Sequence, residues 1–217
     1  MQQKILTAEQ CDIIYKELIT LAQVQDDSQS YAFRDYLNML QKEGFPVDYI
    51  PASDDPDNVP LLYKMLLWHK VEHAKVILES GADVNVKVIA CKKQNALLYA
   101  SSVLVYDMDL LKAIVRKTDN INYTDEQNFT ALSQWCTNQA MQILNRGNKN
   151  LMPIIRMLIN AGADPYVGVA WEGNFLRPKD YALAKKIKDY AIKYYKTGSL
   201  LKQETIDSLS SSYDYAL

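Results

Sequence analysis

Residues 68–85 read WHKVEHAKVILESGADVN, and two readings compete for them. Positions 69–73 contain H-x-x-E-H (His69, Glu72, His73), in which two histidines can ligate zinc and a glutamate can act as general base. Directly after them comes an apolar stripe at helical spacing, Ala74, Ile77 and Leu78, ended by Gly81. Glycine leaves a helix through a left-handed turn without Cβ strain. The first reading makes the stretch a metal site; the second makes it the end of a structural unit. The rest of the chain decides between them.

The glycine phrase recurs. Gly44-Phe45-Pro46-Val47-Asp48, Gly81-Ala82-Asp83-Val84-Asn85 and Gly162-Ala163-Asp164-Pro165 share one form, and Thr118-Asp119-Asn120-Ile121-Asn122 repeats it without the glycine. The phrases start at 44, 81, 118 and 162, with spacings of 37, 37 and 44, which is an internal repeat. Upstream of each lies an apolar stripe with helical period: Leu37, Met39, Leu40; Ala74, Ile77, Leu78; Leu111, Ile114, Val115; Ile154, Ile155, Leu158, Ile159. Upstream again, shorter helices are predicted at 59–62, 95–100, 129–132 and 177–182. Each unit therefore reads as turn, short helix, longer helix, glycine cap. Neither helix can bury its apolar side alone, so neighbouring units must stack.

These phrases resemble the ankyrin repeat, whose pattern opens near T-P-L-H-x-A and closes near L-L-x-x-G-A-D-V-N. Residues 76–85 (VILESGADVN) and 157–165 (MLINAGADP) match the close, and residues 95–100 and 130–132 match the opening. The resemblance covers roughly residues 30–200. It implies an all-α solenoid of helix-turn-helix units with projecting finger loops and helical caps. The chain departs from the pattern at Lys64, where the short helix usually has a small residue, at Thr118, and at an insertion around residues 139–150. The expected organisation is one domain over 1–217. Residues 1–58 supply N-terminal capping helices and a first degenerate unit, 59–176 the central repeats, and 177–217 the C-terminal capping helices and tail. Thr7-Ala8-Glu9-Gln10 is a capping-box start for a helix to about Val24, and a second helix is expected from about Ser30 to Gln41.

Composition narrows the function classes. The 217 residues carry a net charge of −2, with no global basic excess of the kind nucleic-acid binders need. The charge is uneven: residues 1–58 hold eleven Asp/Glu against four Lys/Arg, a net of −7, while residues 177–202 hold eight Lys/Arg against two Asp, a net of +6. Three distant cysteines (Cys11, Cys91, Cys136) argue for a reducing compartment rather than a disulfide framework. With no run of about 18 apolar residues, the expectation is a soluble, cytoplasmic chain. The basic helix with Lys185, Lys186, Lys188 and Lys193 reads as the solvated face of a last repeat, so neither nucleic acid nor membrane is an expected partner.

Within the repeat frame the metal reading weakens. His69, Glu72 and His73 fall where the second helix of a unit begins, they include both histidines of the chain, and no third ligand is marked. Cys136 falls at a position the repeat normally buries; Cys91 lies in a predicted turn, but a thiol alone is no mechanism. The chain contains neither a nucleophile elbow nor a phosphate-binding glycine loop. The expectation is a non-enzyme with no catalytic residue, metal or cofactor.

A binding module remains. Fingers are expected at residues 49–58 (YIPASDDPDN), 86–94 (VKVIACKKQ), 123–128 (YTDEQN) and 166–174 (YVGVAWEGN). Their candidate contact residues are Tyr49, Asp54 and Asp55; Lys87, Lys92 and Lys93; Tyr123, Asp125 and Glu126; Tyr166 and Trp171; with Tyr106 nearby. Tyr and Trp bury much area at little rotamer cost, and charged fingers steer encounter. For the tyrosines the competing reading is packing across neighbouring fingers. The resemblance implies a protein, monomeric alone, that binds and inhibits or sequesters one dedicated protein partner, as small bacterial immunity-type factors do. The alternatives are an adaptor or secreted effector that uses the tail from Leu200, and a zinc hydrolase built on His69, Glu72 and His73.

Overall fold

The computed structural model describes residues 5–52, 58–144, 150–164, 167 and 189. Among these the chain is helical, with no strand: α1 (Ala8–Val24), α2 (Ser30–Lys42), α3 (Leu61–Leu67), α4 (Val71–Glu79), α5 (Ala96–Ser102), α6 (Met108–Lys117), α7 (Ala131–Leu144) and α8 (Met152–Asn160). The chain forms two compact units, Met1–Asn120 and Ile121–Leu217. In the first unit consecutive helices pair, α1 on α2, α3 on α4 and α5 on α6. The last two pairs run short then longer as expected, but α1 has 17 residues and α2 only 13. Like elements also meet: α1 packs on α3 and α3 on α5, while α2 packs on α4 and α4 on α6. In the second unit α7 packs on α8.

The starts of α1, α5 and α6 are written locally. Thr7 caps α1 through a complete capping box, its Oγ1 accepting from the Gln10 amide at 3.3 Å while Gln10 Oε1 accepts from the Thr7 amide at 2.9 Å. Asn95 Oδ1 accepts from the Leu98 amide at 3.0 Å to open α5, and Asp107 Oδ1 accepts from the Leu110 amide at 2.7 Å to open α6. The starts of α3, α5 and α7, at residues 61, 96 and 131, lie 35 residues apart.

The ends follow the glycine phrases. Gly44, Gly81 and Gly162 take φ of 103°, 96° and 94°. After each, the next amide donates back five residues: Phe45 to Leu40 O at 2.9 Å, Ala82 to Ile77 O at 3.2 Å, Ala163 to Leu158 O at 2.9 Å. Where the glycine is missing, Thr118 leaves α6 with ordinary extended dihedrals (φ −80°, ψ 120°). Its hydroxyl donates to Ile114 O at 2.9 Å, so a side chain satisfies a carbonyl that the turn would otherwise cover. A Cβ added at Gly81 would meet nothing within 4 Å, so Gly81→Ala carries only a backbone cost. Thermal unfolding of that variant should show a loss of about 1 kcal/mol; an unchanged midpoint would mean that this corner does not need its left-handed geometry.

One hydrogen-bond device recurs where consecutive phrases meet. Asp48 accepts from the Asp83 amide through both carboxylate oxygens at 3.1 Å. Asn85 Oδ1 accepts from the Asp119 amide at 2.9 Å while its Nδ2 donates to Lys117 O at 3.1 Å. In the second unit Asn122 does the same with the Asp164 amide at 2.6 Å and Gly162 O at 3.3 Å. Each peg is the last residue of a phrase, and each grips the backbone of the next phrase.

The insertion around residues 139–150 begins as helix. α7 has 14 residues where α3 and α5 have seven. Gln139 then ties α7 to the start of α8, its Oε1 accepting from the Leu151 amide at 2.6 Å. Trp135 and Cys136 on α7 are buried in the core of this unit, as expected for Cys136.

Candidate partner-binding surface

The opening H-x-x-E-H stretch is divided by a corner. His69 is not on α4: it takes the left-handed conformation (φ 55°) between α3 and α4, and the Lys70 amide donates back to Met65 O at 2.9 Å. α4 begins only at Val71, so the two histidines do not sit one turn apart on a helix, as the spacing suggests. His73 is 0% exposed, with Nδ1 2.9 Å from Asp27 Oδ1 and its ring edge-on to Phe33 at 5.0 Å. The same carboxylate accepts from the Glu72 amide at 3.0 and 3.1 Å and from the His73 amide at 3.3 Å. Asp27, from the 3-10 turn Asp27–Gln29, thus supplies the N-terminal cap that Lys70 does not provide for α4. Burial pushes the Asp27 carboxyl up, but the hydrogen bonds from the His73 ring and the two amides outweigh it and hold the group below its ordinary 3.8. Glu72 pairs with Lys75 at 2.8 Å. Among the described residues no group of three or more His, Cys, Asp or Glu is placed to hold a metal ion.

The finger at residues 86–94 is a built element. Val88 and Gln94 pair across its base, the Val88 amide donating to Gln94 O at 3.2 Å. The 3-10 turn Ile89–Cys91 forms the tip, and Lys92 and Lys93 come next with φ of 55° and 57°. From below, the Tyr63 hydroxyl on α3 donates to Val86 O at 2.7 Å and Gln94 O at 3.1 Å, fixing both ends of the finger. The three apolar residues of this finger separate by role: Val88 is buried, whereas Ile89 is 80% exposed and Ala90 is exposed. Lys87, Lys92 and Lys93 lie at the surface of the same finger. Cys91 is half-buried, and burial pushes its thiol up despite the Tyr99 hydrogen bond and nearby Lys64, which leaves it a neutral thiol rather than an activated nucleophile.

The other candidates fare differently. Tyr49 faces inward, its hydroxyl donating to Asp12 Oδ1 at 2.7 Å and Ala8 O at 3.1 Å on α1. Its ring lies 6.4 Å from Tyr15 and 6.0 Å from Phe45, and the hydrogen bond to Asp12 pushes its phenol up to about 12. Asp125 is 7% exposed and is spent within its own loop. One carboxylate oxygen accepts from the Gln127 amide at 3.0 Å and the Phe129 amide at 2.9 Å, an Asx turn completed by Asn128 at φ 66°. Only Glu126 of that acidic pair is exposed. Tyr106 and Tyr123 are half-buried, and burial pushes the Tyr106 phenol up. Asp54, Asp55, Tyr166 and Trp171, together with the expected C-terminal helices and the tail from residue 200, lie outside the described residues.

The short helices contribute residues that reading the fingers alone misses. α3 buries Leu61, Leu62, Tyr63, Met65 and Leu66, which leaves Lys64 and Leu67 on its open face. α5 leaves Tyr99 and Ser102 at the corresponding positions, each 35 residues further on. With the finger at 86–94 these four side chains line a pocket of about 380 Å³. Compared with models of known protein families and with curated proteins, the chain matches none.

Proposed function

We propose that the chain is an ankyrin-like repeat protein that acts by binding, and thereby inhibiting or sequestering, a dedicated protein partner. The observation that carries this reading is the finger at residues 86–94. A β-branched aliphatic side chain, Ile89, is held 80% exposed on a tip tied down by backbone hydrogen bonds and by Tyr63. An apolar group on a rigid mount loses little freedom when it is covered, the condition under which one residue contributes heavily to an interface. The lysines around it would steer encounter with an acidic surface and reject a basic one.

Several observations support the ankyrin-like part of the reading. The starts of α3, α5 and α7 lie 35 residues apart, like elements pack on like within residues 1–120, glycine corners close α2, α4 and α8, and an Asp or Asn peg joins successive phrases. The inhibitory part rests on the resemblance.

The test is capture of partners by the purified full chain from a lysate of its own cell, beside Ile89→Asp. The wild-type chain should retain one near-stoichiometric protein and lower its activity. Ile89→Asp should reduce that capture about tenfold or more with an unchanged melting temperature. Equal capture by both chains would remove the finger from the interface.

A further inference from the structure

We propose that the pocket between α3, α5 and the finger at residues 86–94 is a receptor for an acidic side chain flanked by an apolar one, presented by an extended segment of the partner protein. This rests on the partner-binding reading and names the chemistry that the partner must bring.

The pocket is lined by Val59, Lys64, Leu67, Ala90, Cys91, Lys92, Gln94, Tyr99 and Ser102. Two of these are cations and, among the described residues, none is a carboxylate, although the chain as a whole is net acidic at −2. The lysines approach from different elements, Lys64 from α3 and Lys92 from the finger. Lys64 is held by its surroundings: its ammonium lies 5.9 Å from the centre of the Trp68 ring. Tyr99, Ser102 and Gln94 add neutral polar groups to the wall, and Ser102 Oγ already donates to Gln94 Oε1 at 3.2 Å. A carboxylate entering here meets two ammonium groups and a hydroxyl-bearing wall.

Beside the charge, the pocket offers apolar surface. Val59 and Ala90 belong to its wall, and Leu67 is 40% exposed at its edge. A volume of about 380 Å³ holds one or two side chains, not a helix. The segment that fits therefore places a carboxylate between the lysines and an apolar neighbour against Leu67, with Ile89 available to the next residue. A nucleotide suits the site less well, because the described wall lacks an oriented pair of backbone amides at a helix start for a phosphate.

The probes are two unstructured peptides of equal length, one alternating Glu with Leu and the other alternating Lys with Leu, together with inorganic phosphate. Each is titrated into the isotope-labelled full chain while amide shifts are followed. The Glu-Leu peptide should move the amides of Lys64, Lys92, Tyr99 and Ser102 and should weaken with salt; the Lys-Leu peptide should not move them. Lys64→Glu with Lys92→Glu, checked for an unchanged melting temperature, should weaken the Glu-Leu peptide about tenfold and admit the Lys-Leu peptide instead. Each single reversal gives the same reading if the double variant does not fold. Three results would overturn the proposal: equal shifts with both peptides, shifts confined to other amides, or inorganic phosphate displacing the Glu-Leu peptide at equal charge. Any of them leaves the partner reading standing if capture still depends on Ile89. Loss of that dependence with the peptide result intact would overturn the partner reading alone.

Discussion

Asp27→Ala should lower the free energy of unfolding by about 3 kcal/mol, a large effect for a residue in a three-residue 3-10 turn. One carboxylate receives two backbone amides at the start of α4 and stands 2.9 Å from Nδ1 of a histidine that is 0% exposed. Truncation leaves the buried His73 ring, the His73 amide and the exposed Glu72 amide without a charged acceptor and removes a side chain that ties the α1–α2 connection to α4. Asp27→Asn keeps an acceptor oxygen and should lose roughly half as much. The pH dependence has a definite sign. The Asp27 carboxyl is held below its ordinary 3.8, so its contribution is present above that value and is lost as pH falls through the lowered one. The deficit of Asp27→Ala should be full near neutral pH and shrink in acid. A deficit independent of pH would mean that the carboxylate charge plays no part.

Asn85→Ala should cost about 1.5 kcal/mol, because it removes both hydrogen bonds between one phrase and the next, Oδ1 to the Asp119 amide and Nδ2 to Lys117 O. Asp48 occupies the same peg position but has no donor. Burial is the main force pushing its carboxyl above the ordinary 3.8, with the nearby Asp83 charge adding to it and the Asp83 amide opposing. A raised carboxyl destabilises the fold increasingly as pH rises through that value and not at all well below 3.8. Asp48→Asn should therefore stabilise the fold near neutral pH and lose that advantage in acid. Melting curves of both variants at about pH 3 and about pH 7 check the pair. A peg series in which Asn85→Ala is silent would mean that the phrases are joined by helix packing alone.

The parts of the fold legible in the sequence are those whose causes are local. Thr7 with Gln10 announces α1, and Gly44, Gly81 and Gly162 announce helix ends, because a cap or a left-handed residue needs only its immediate neighbours. Corners at His69 (φ 55°) and Leu104 (φ 61°) are not legible, since residues that disfavour this conformation are forced into it by the packing of the flanking helices. The same corner breaks the apparent histidine pair. Asp125 reads as half of an exposed acidic finger, yet D-E-Q-N is also an Asx-turn sequence, and the structure uses it as one. The pocket is hidden for another reason. Glycine phrases repeat at 37 residues, whereas Lys64 and Leu67 align with Tyr99 and Ser102 only at the 35-residue spacing of the short helices.

The pegs at Asp48, Asn85 and Asn122 make each junction between phrases one-sided. One partner is a particular side chain; the other is a peptide group, which every amino acid possesses. A junction of this kind specifies a residue type on one face and none on the other. At the pegs, lengthening such a chain by duplication, or shortening it by excision, therefore needs no coordinated pair of changes; what must stay matched on both sides is the packing of α2 on α4 and α4 on α6 and contacts such as Asp27 with His73.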